Sequence, residues 1–431
     1  MDYLERIADS LLQDYLDALG AILIEGPKWC GKTTTAEQKA ASVIKLQDTD
    51  MREEYLATAQ TKPSLLLLGD TPRLIDEWQD APVLWDAVRT MCDNRGGEPG
   101  QFILTGSNTV DRSKIKHSGT GRIGKFKMLP MSLWESKEST GEVSLSKLFD
   151  DPDCDIDGKK SSMTIEQLVF AACRGGWPAT LRAKTDKAKL LIAKNYIKSV
   201  CSEDISSVDG VARNEKIATQ ILKSYARNIS TIAKKKSILA DITGEDNDLC
   251  SMVTLDDYLE AFEKLFVIQD LDAWCPSIRS KTAIRSTPKR AFCDPSVAVA
   301  ALRLTPEALL IQLKTFGFIF EQMCIRDLKA YTMDADSHVS YYRDRYGLEA
   351  DIVLHLGDGR YALIECKLGS EEIKEGAEHL LEIKRLIIEH NQTEKQVPLR
   401  EPDLLIILTG GQTAYRRDDG VNVIPLACLK N

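Results

Sequence analysis

The sequence is short of several things, and each shortage removes a class of protein. No apolar run approaches the roughly 20 residues that a membrane-spanning helix needs, and the start (Met1, Asp2, Tyr3, Leu4, Glu5) is acidic where a secretion signal would be basic. The expectation is a cytoplasmic protein with no membrane partner. There is no Cys-x-x-Cys pair, and the 11 cysteines are odd in number and scattered, which argues against a disulfide framework or a zinc ribbon and for buried thiols in a reducing compartment. Internal repeats and long low-complexity tracts are also missing. Nor is there an excess of basic charge: at a net -9 the chain is not built to coat nucleic acid over its whole surface. What is plentiful is ordinary core material, since 431 residues at 43% apolar can fill about three domains.

The first hundred residues carry the clearest chemistry. Leu4, Ile7, Leu11, Leu12, Tyr15, Leu16 and Leu19 recur at helical spacing, Gly20 stops that helix, and Ala21 to Ile24 is a short buried strand. Gly26-Pro27-Lys28-Trp29-Cys30-Gly31-Lys32-Thr33 then fits G-x-x-x-x-G-K-[ST] between that strand and a helix beginning at Lys32, the context this loop requires. The glycines let backbone amides wrap phosphate, Lys32 reaches the β- and γ-phosphates, and the Thr33 hydroxyl can hold a metal. Gly26 through Thr34 is therefore the predicted ATP-binding segment, with Mg2+ as its companion. Leu74-Ile75-Asp76-Glu77 supplies the second half: Asp76, at a strand end, points toward Mg2+, and Glu77 beside it can polarise water. Phe102-Ile103-Leu104-Thr105-Gly106-Ser107 is a third strand, whose Ser107 can sense the γ-phosphate by hydrogen bond. Arg122, in Gly119-Thr120-Gly121-Arg122, is a candidate for the arginine that meets developing γ-phosphate charge, beside the plainer reading of a surface arginine.

Apolar segments at Ser64 to Leu68, Leu74 to Ile75 and Phe102 to Leu104 predict parallel strands alternating with helices, an α/β nucleotide-binding core over residues 1–150. Composition turns polar and acidic between Glu135 and Ser162, which places the first boundary there; a helical lid or linker follows over 151–213. Over 214–300 the order is three helices, a short strand at Phe266 to Leu271 and a basic stretch, the order of a winged helix-turn-helix. That stretch carries Arg279, Lys281, Arg285, Lys289 and Arg290 without an acid. It reads either as a solvated loop or as a contact to the phosphate backbone of nucleic acid, DNA above all. The last unit, 301–431, shows a helix, three strand candidates, a charged helix to His390 and a final strand.

In that last unit Asp351 opens one strand and Glu365-Cys366-Lys367 lies on the next, across a turn at Gly357-Asp358-Gly359. An antiparallel hairpin with this spacing can set Asp351 beside Glu365, and period two puts Glu365 and Lys367 on one face. Two carboxylates and a lysine are the minimum for metal-assisted phosphodiester hydrolysis, with Asp351 and Glu365 as metal ligands; they are also what a solvated hairpin face carries.

Taken in order, Gly-Pro-Lys-x-x-Gly-Lys-Thr-Thr, Leu-Ile-Asp-Glu-Trp-Gln, Phe-Ile-Leu-Thr-Gly-Ser and Leu-Pro-Met-Ser-Leu-Trp-Glu resemble a large family of prokaryotic AAA-like P-loop ATPases. The resemblance extends to Gly175-Gly-Trp-Pro178 and to Lys289-Arg-Ala-Phe-Cys-Asp294-Pro295, and so covers nearly the whole chain. It implies an ATPase core, a winged helix and a C-terminal domain of uncharacterised role related to PD-(D/E)XK (restriction-endonuclease-like) nucleases. By that likeness Arg122 is an arginine finger shared between subunits of a homo-oligomer, and Glu321 matches the first-helix acid of the nuclease superfamily. Ala350 stands where that pattern has proline before Asp351. Two functions follow: an ATPase whose nucleotide state controls a metal-dependent nuclease, or an ATP-dependent switch whose C-terminal domain only grips nucleic acid or a protein partner.

Overall fold

A computed structural model of the chain describes residues 3–109, 115, 117–243, 250–277, 284–393 and 397–431. Its first sheet joins β1 (Ala21–Glu25), β2 (Ser42–Lys45), β3 (Arg73–Asp76), β4 (Phe102–Gly106) and β5 (Ile123–Lys127) in the order β2-β3-β4-β1-β5, every pair parallel. Parallel strands buried on both faces should be apolar throughout, and β1 is: Ala21 and Leu23 join the core on one face, Ile22 and Ile24 the core on the other. Helix Val83–Asn94 packs on the first face through Leu84, Trp85 and Val88, and helix Ile7–Ala18 on the second through Leu12 and Leu16. The order sets β4 between the phosphate-loop strand β1 and the acid-bearing strand β3, so the C-terminal ends of all three meet at one edge.

One expectation for this sheet is corrected and one strand was not expected. Ser64 to Leu68 is not a strand: Pro63–Leu67 forms a 3-10 helix, because Pro63 is already set for a first helical position and the leucines that follow have no β-branched member to favour extension. The strand at this level is β2, whose only buried residue is Ile44; an edge strand with one buried side chain has too weak a pattern to be read from sequence.

After β5 the chain is helical. Helices Ile165–Arg174, Asp186–Ser199, Glu215–Arg227, Lys235–Thr243 and Met252–Lys264 share one large core with helix Leu313–Tyr331. Beyond Lys264 two extended segments bridge antiparallel at Ile268 with Phe292 and at Leu271 with Lys289. A second, mixed sheet has the order β11-β12-β10-β9-β8-β7 and is built from β7 (His338–Arg343), β8 (Glu349–His355), β9 (Tyr361–Lys367), β10 (Leu404–Thr409), β11 (Tyr415–Arg416) and β12 (Asn422–Pro425). Alternation again decides the layers: Ala362 and Ile364 face the helical core, whereas Leu363 faces helix Ser370–Asn391 with Leu380 and Ile383. Finally β13 (Leu429–Lys430) pairs with β6 (Val143–Ser144), and the acidic stretch after β6 is held by arginines of the second sheet, Arg360 to Asp150 and Arg416 to Asp153. Among the described residues no helix is long and apolar enough to cross a membrane.

Candidate nucleotide site

The phosphate loop turns where its sequence lets it. A side chain at Gly26 would put a Cβ 2.2 Å from the Met128 carbonyl, and Gly31 has φ 105°, so both positions need glycine. Between them Trp29 is also left-handed, at φ 67°. It is half exposed and stacks 5.7 Å from Tyr196, which lies 4.4 Å from Trp177. Lys28 forms an ion pair of 2.6 Å with Asp204, in the π-helical turn Val200–Asp204. The Cys30 thiol is buried and turned toward the Met128 carbonyl, 3.7 Å away. Lys28 and Trp29 thus tie the loop to the helical region rather than line it passively. Pro27 and Gly26 give their carbonyls to the Lys32 ammonium, at 3.0 and 2.9 Å. Thr34 lines the same cleft, of about 690 Å3, with Lys32, Thr33, Glu77, Arg182 and Asn195.

Three strand ends supply the acids and hydroxyls. The Thr33 hydroxyl donates to Asp76 Oδ1 at 2.7 Å, and the Thr105 hydroxyl donates to the same oxygen at 2.5 Å. Thr105 also accepts from the Glu77 amide at 3.2 Å. Ser107 donates to Glu77 Oε2 at 2.8 Å, and the Gln79 side chain donates to that oxygen as well. Glu77 is left-handed at φ 55°, a conformation that costs a non-glycine residue on the order of 1 kcal/mol and is kept where the surroundings enforce it. Here they do: the amide is held by β4 and the carboxylate by Ser107 and Gln79. Thr33 and Asp76 form a hydroxyl–carboxylate pair beside the loop, an all-oxygen donor set of the kind Mg2+ takes together with phosphate oxygens and water.

Thr105 and Gln79 were not singled out from the sequence. Thr105 was findable, since it shares a face of β4 with Ser107 by period two; Gln79 was not, because its direction depends on the turn after Glu77. Arg182 was also missed. It is exposed in the cleft and makes no hydrogen bond or ion pair among the described residues.

Arg122 stands elsewhere. Its carbonyl accepts from the Ala21 amide, level with the beginning of β1, and its guanidinium pairs with Asp93 at 2.8 Å. The phosphate loop leaves the other end of that strand, roughly 13 Å away at about 3.3 Å per residue. Arg122 thus lies at the opposite end of β1 from the phosphate loop, with its guanidinium turned to Asp93.

The C-terminal acids do come together. β8 and β9 pair antiparallel with Ile352 opposite Ile364, which makes Asp351 and Glu365 the next opposed residues, and Asp351 Oδ2 accepts from the Cys366 amide at 2.9 Å. Lys367 lies 2.6 Å from Glu365 Oε2 and 3.8 Å from Asp351. Glu321, on helix Leu313–Tyr331, faces the same point. The basic stretch needs correction. Lys289 is buried and donates to Glu321 at 2.6 Å, and Arg290 is buried against Asp270 at 2.6 Å, so neither is a solvated phosphate contact. Each is drawn inward because its segment pairs with residues 268–271 and passes beneath acids that need a counter-charge. Arg285 is exposed, and Arg279 and Lys281 lie outside the described residues.

A parallel sheet with a glycine-framed loop on its central strand, and a threonine–aspartate pair and a glutamate at the same edge, defines a P-loop nucleotide-binding domain. The comparisons agree and narrow the class: residues 19–137 match the family model described as an AAA domain, so the chain contains an AAA-like ATPase domain. Residues 165–308 and 316–429 match two domains of unknown function, DUF8612 and DUF4143. No curated protein matches the chain. Among solved structures, the Walker-type ATPase PABY2304 of Pyrococcus abyssi aligns with 70% of this chain and 96% of its own, at 14% identity and a TM-score of 0.42. PCH-2 of C. elegans aligns with 60% of this chain and 65% of its own, at 14% identity and a TM-score of 0.20.

Proposed function

We propose that the chain hydrolyses ATP at this site with Mg2+. The observation that carries the reading is the pair of hydrogen bonds Thr33 to Asp76 and Ser107 to Glu77, which set a metal-competent oxygen pair and a free carboxylate edge on either side of one cleft. Lys32 exchanges its two carbonyl partners for the β- and γ-phosphates, a stronger, charge-assisted pairing. Glu77 accepts a proton from the attacking water while Ser107 and Gln79 fix the angle of its carboxylate. Thr33 and Asp76 would hold the metal, which when bound would supply positive charge against the phosphate oxygens. Arg122 serves a neighbouring subunit's nucleotide in a homo-oligomer.

For the rest of the chain we favour an ATP-dependent switch or binding module over a coupled nuclease, because Lys289 already stands against two of the C-terminal acids, Glu321 and Asp351, and Lys289 and Arg290 are withdrawn from any nucleic-acid surface. Among the described residues only Arg285 of the basic side chains in that stretch is exposed, so a protein partner is the first choice. The test is ATP turnover in Mg2+ with and without duplex DNA, for the intact chain and for Lys32→Ala, with the DNA run on a gel afterwards. Turnover that disappears in Lys32→Ala and ignores DNA supports the switch; DNA-stimulated turnover with nicked product overturns it, and turnover that survives Lys32→Ala overturns the assignment of the site.

A further inference from the structure

The acid cluster on β8 and β9 has the composition of a metal site but, as folded, already holds two ammonium groups among its acids. Among the described residues no three His, Cys, Asp or Glu side chains stand close enough together to share an ion. What sits among the acids instead is a lysine from a distant segment. Lys289 Nζ is 2.6 Å from Glu321 Oε1, 3.0 Å from the Asp351 carbonyl and 3.7 Å from Asp351 Oδ1. Lys367 covers the other side, 2.6 Å from Glu365 Oε2 and 3.8 Å from Asp351 Oδ2. Three carboxylates thus face two ammonium groups. A divalent cation at Asp351 and Glu365 would stand within a few ångströms of both, and like charges repel strongly where water is excluded.

Lys289 is not there by the accident of a floppy side chain. Its amide donates to the Leu271 carbonyl and its carbonyl accepts from the Leu271 amide, each at 2.9 Å, so an antiparallel pair of segments delivers it. Its stem is buried and its ammonium lies 5.7 Å from the Tyr341 ring centre. Glu365, by contrast, is 1% exposed, with the Lys367 ammonium against Oε2 and no hydrogen bond at Oε1; His379 Nδ1, 3.9 Å from Oε1, is equally unbonded. A buried acceptor without a donor marks capacity for a further ligand.

We propose that Lys289 is a resident counter-cation that holds the Glu321 and Asp351 carboxylates against divalent metal, so that Asp351 and Glu365 take a metal only when the segment carrying Lys289 is withdrawn. The inference rests on reading the C-terminal domain as a non-cutting module in this arrangement, and it is independent of ATP hydrolysis. It also makes the middle of the chain, which supplies Lys289, the element that decides whether the C-terminal cluster is open.

The experiment is Mn2+ binding followed by electron paramagnetic resonance, without nucleotide, on the full chain carrying Asp76→Asn to silence the phosphate-loop site. Four versions are compared: Lys289 intact, Lys289→Met, Lys289→Met with Glu321→Gln, and Lys289→Met with Glu365→Gln. The Glu321→Gln version removes one of the carboxylates that Lys289→Met leaves unpaired, and so preserves the test if the single variant does not fold; a rise in its melting temperature with Mn2+ gives a second readout. The expected result is at least a tenfold gain in Mn2+ affinity on Lys289→Met or on Lys289→Met with Glu321→Gln, lost again with Glu365→Gln. Equal affinity with and without Lys289, or no binding in any version, overturns the proposal. Mn2+-dependent cleavage of DNA by the chain with Lys289 in place would instead overturn the non-cutting reading on which it rests.

Discussion

Lys32 and Lys289 are both 5% exposed, yet they are buried for opposite reasons. Lys32 gives its hydrogen bonds to two neutral backbone carbonyls; Lys289 gives one to the Glu321 carboxylate and one to the Asp351 carbonyl, with the Asp351 carboxylate 3.7 Å away. A buried ammonium with only dipoles for partners has unspent attraction for an anion, and it can trade weak partners for a stronger one as a ligand arrives. A buried ammonium among carboxylates has nothing left to trade, and removing it strands their charge. Burial alone therefore does not separate a ligand-binding lysine from a structural one, whereas the formal charge of its partners does.

The comparison can be broken most directly by exchanging the two losses. Lys32→Ala should lower ATP turnover about 100-fold or more, as loss of a charge-stabilising donor does, with a melting temperature close to the parent's. Lys289→Ala should do the reverse: a loss of about 3–5 kcal/mol in urea denaturation, with turnover per folded molecule unchanged. If Lys289→Ala is as stable as the parent, the contrast between the two lysines fails. A smaller effect is expected at Thr105→Val, which takes the hydroxyl from Asp76 and the acceptor from the Glu77 amide and should cost about 1–3 kcal/mol. Its turnover should fall along with its stability, since the same hydroxyl sets both acids.

Lys329 sharpens the contrast by offering a third case, a lysine whose ammonium donates to the Gln269 carbonyl and whose neighbour is another cation, Lys127. Burial, with Lys127 adding to it, pushes Lys329 down to about 8 from 10.5. Between those two values the unfolded chain holds a proton that the folded chain does not, so stability should rise as pH climbs from about 8 to 10.5. Lys329→Met should flatten that rise, as read by melting temperature across the interval. The smallest effect is expected at Arg122→Ala. Its pair with Asp93 is exposed, so the melting temperature should not move, and turnover should fall only under conditions where the chain assembles.

How much of this could be read from the sequence follows from how far apart the cooperating residues lie. The phosphate loop is one contiguous string, and Asp76 and Glu77 sit together at a strand end, so neighbours in sequence are neighbours in function. The helix and strands from Leu313 to Lys367 were legible because each has an unmixed period. Lys289 was not legible: its partners are 32 and 62 residues further along, and a run of basic residues with no acid among them looks solvated from within. The place of Arg122 was hidden for a related reason, because sequence order puts it after the third strand but cannot say which end of the sheet it occupies. Ser64 to Leu68 failed locally, where a proline-led leucine run lacked the β-branched residues that distinguish strand from tight helix.

The pairing of β6 with β13 carries a consequence for the order in which the molecule is made. All five strands of the first sheet have left the ribosome soon after residue 127, so the phosphate-loop domain has its whole sheet early. Val143 and Ser144, a few residues on, must wait for Leu429 and Lys430. At about 5–20 residues per second that delay is roughly 15–60 s, during which the acidic stretch that follows β6 has neither Arg360 nor Arg416 to hold it. A nascent chain would thus pass through a stage at which its nucleotide site is formed while the region joining it to the C-terminal sheet is still unpaired. Its acidic composition, soluble and reluctant to pair with itself, suits it to that wait.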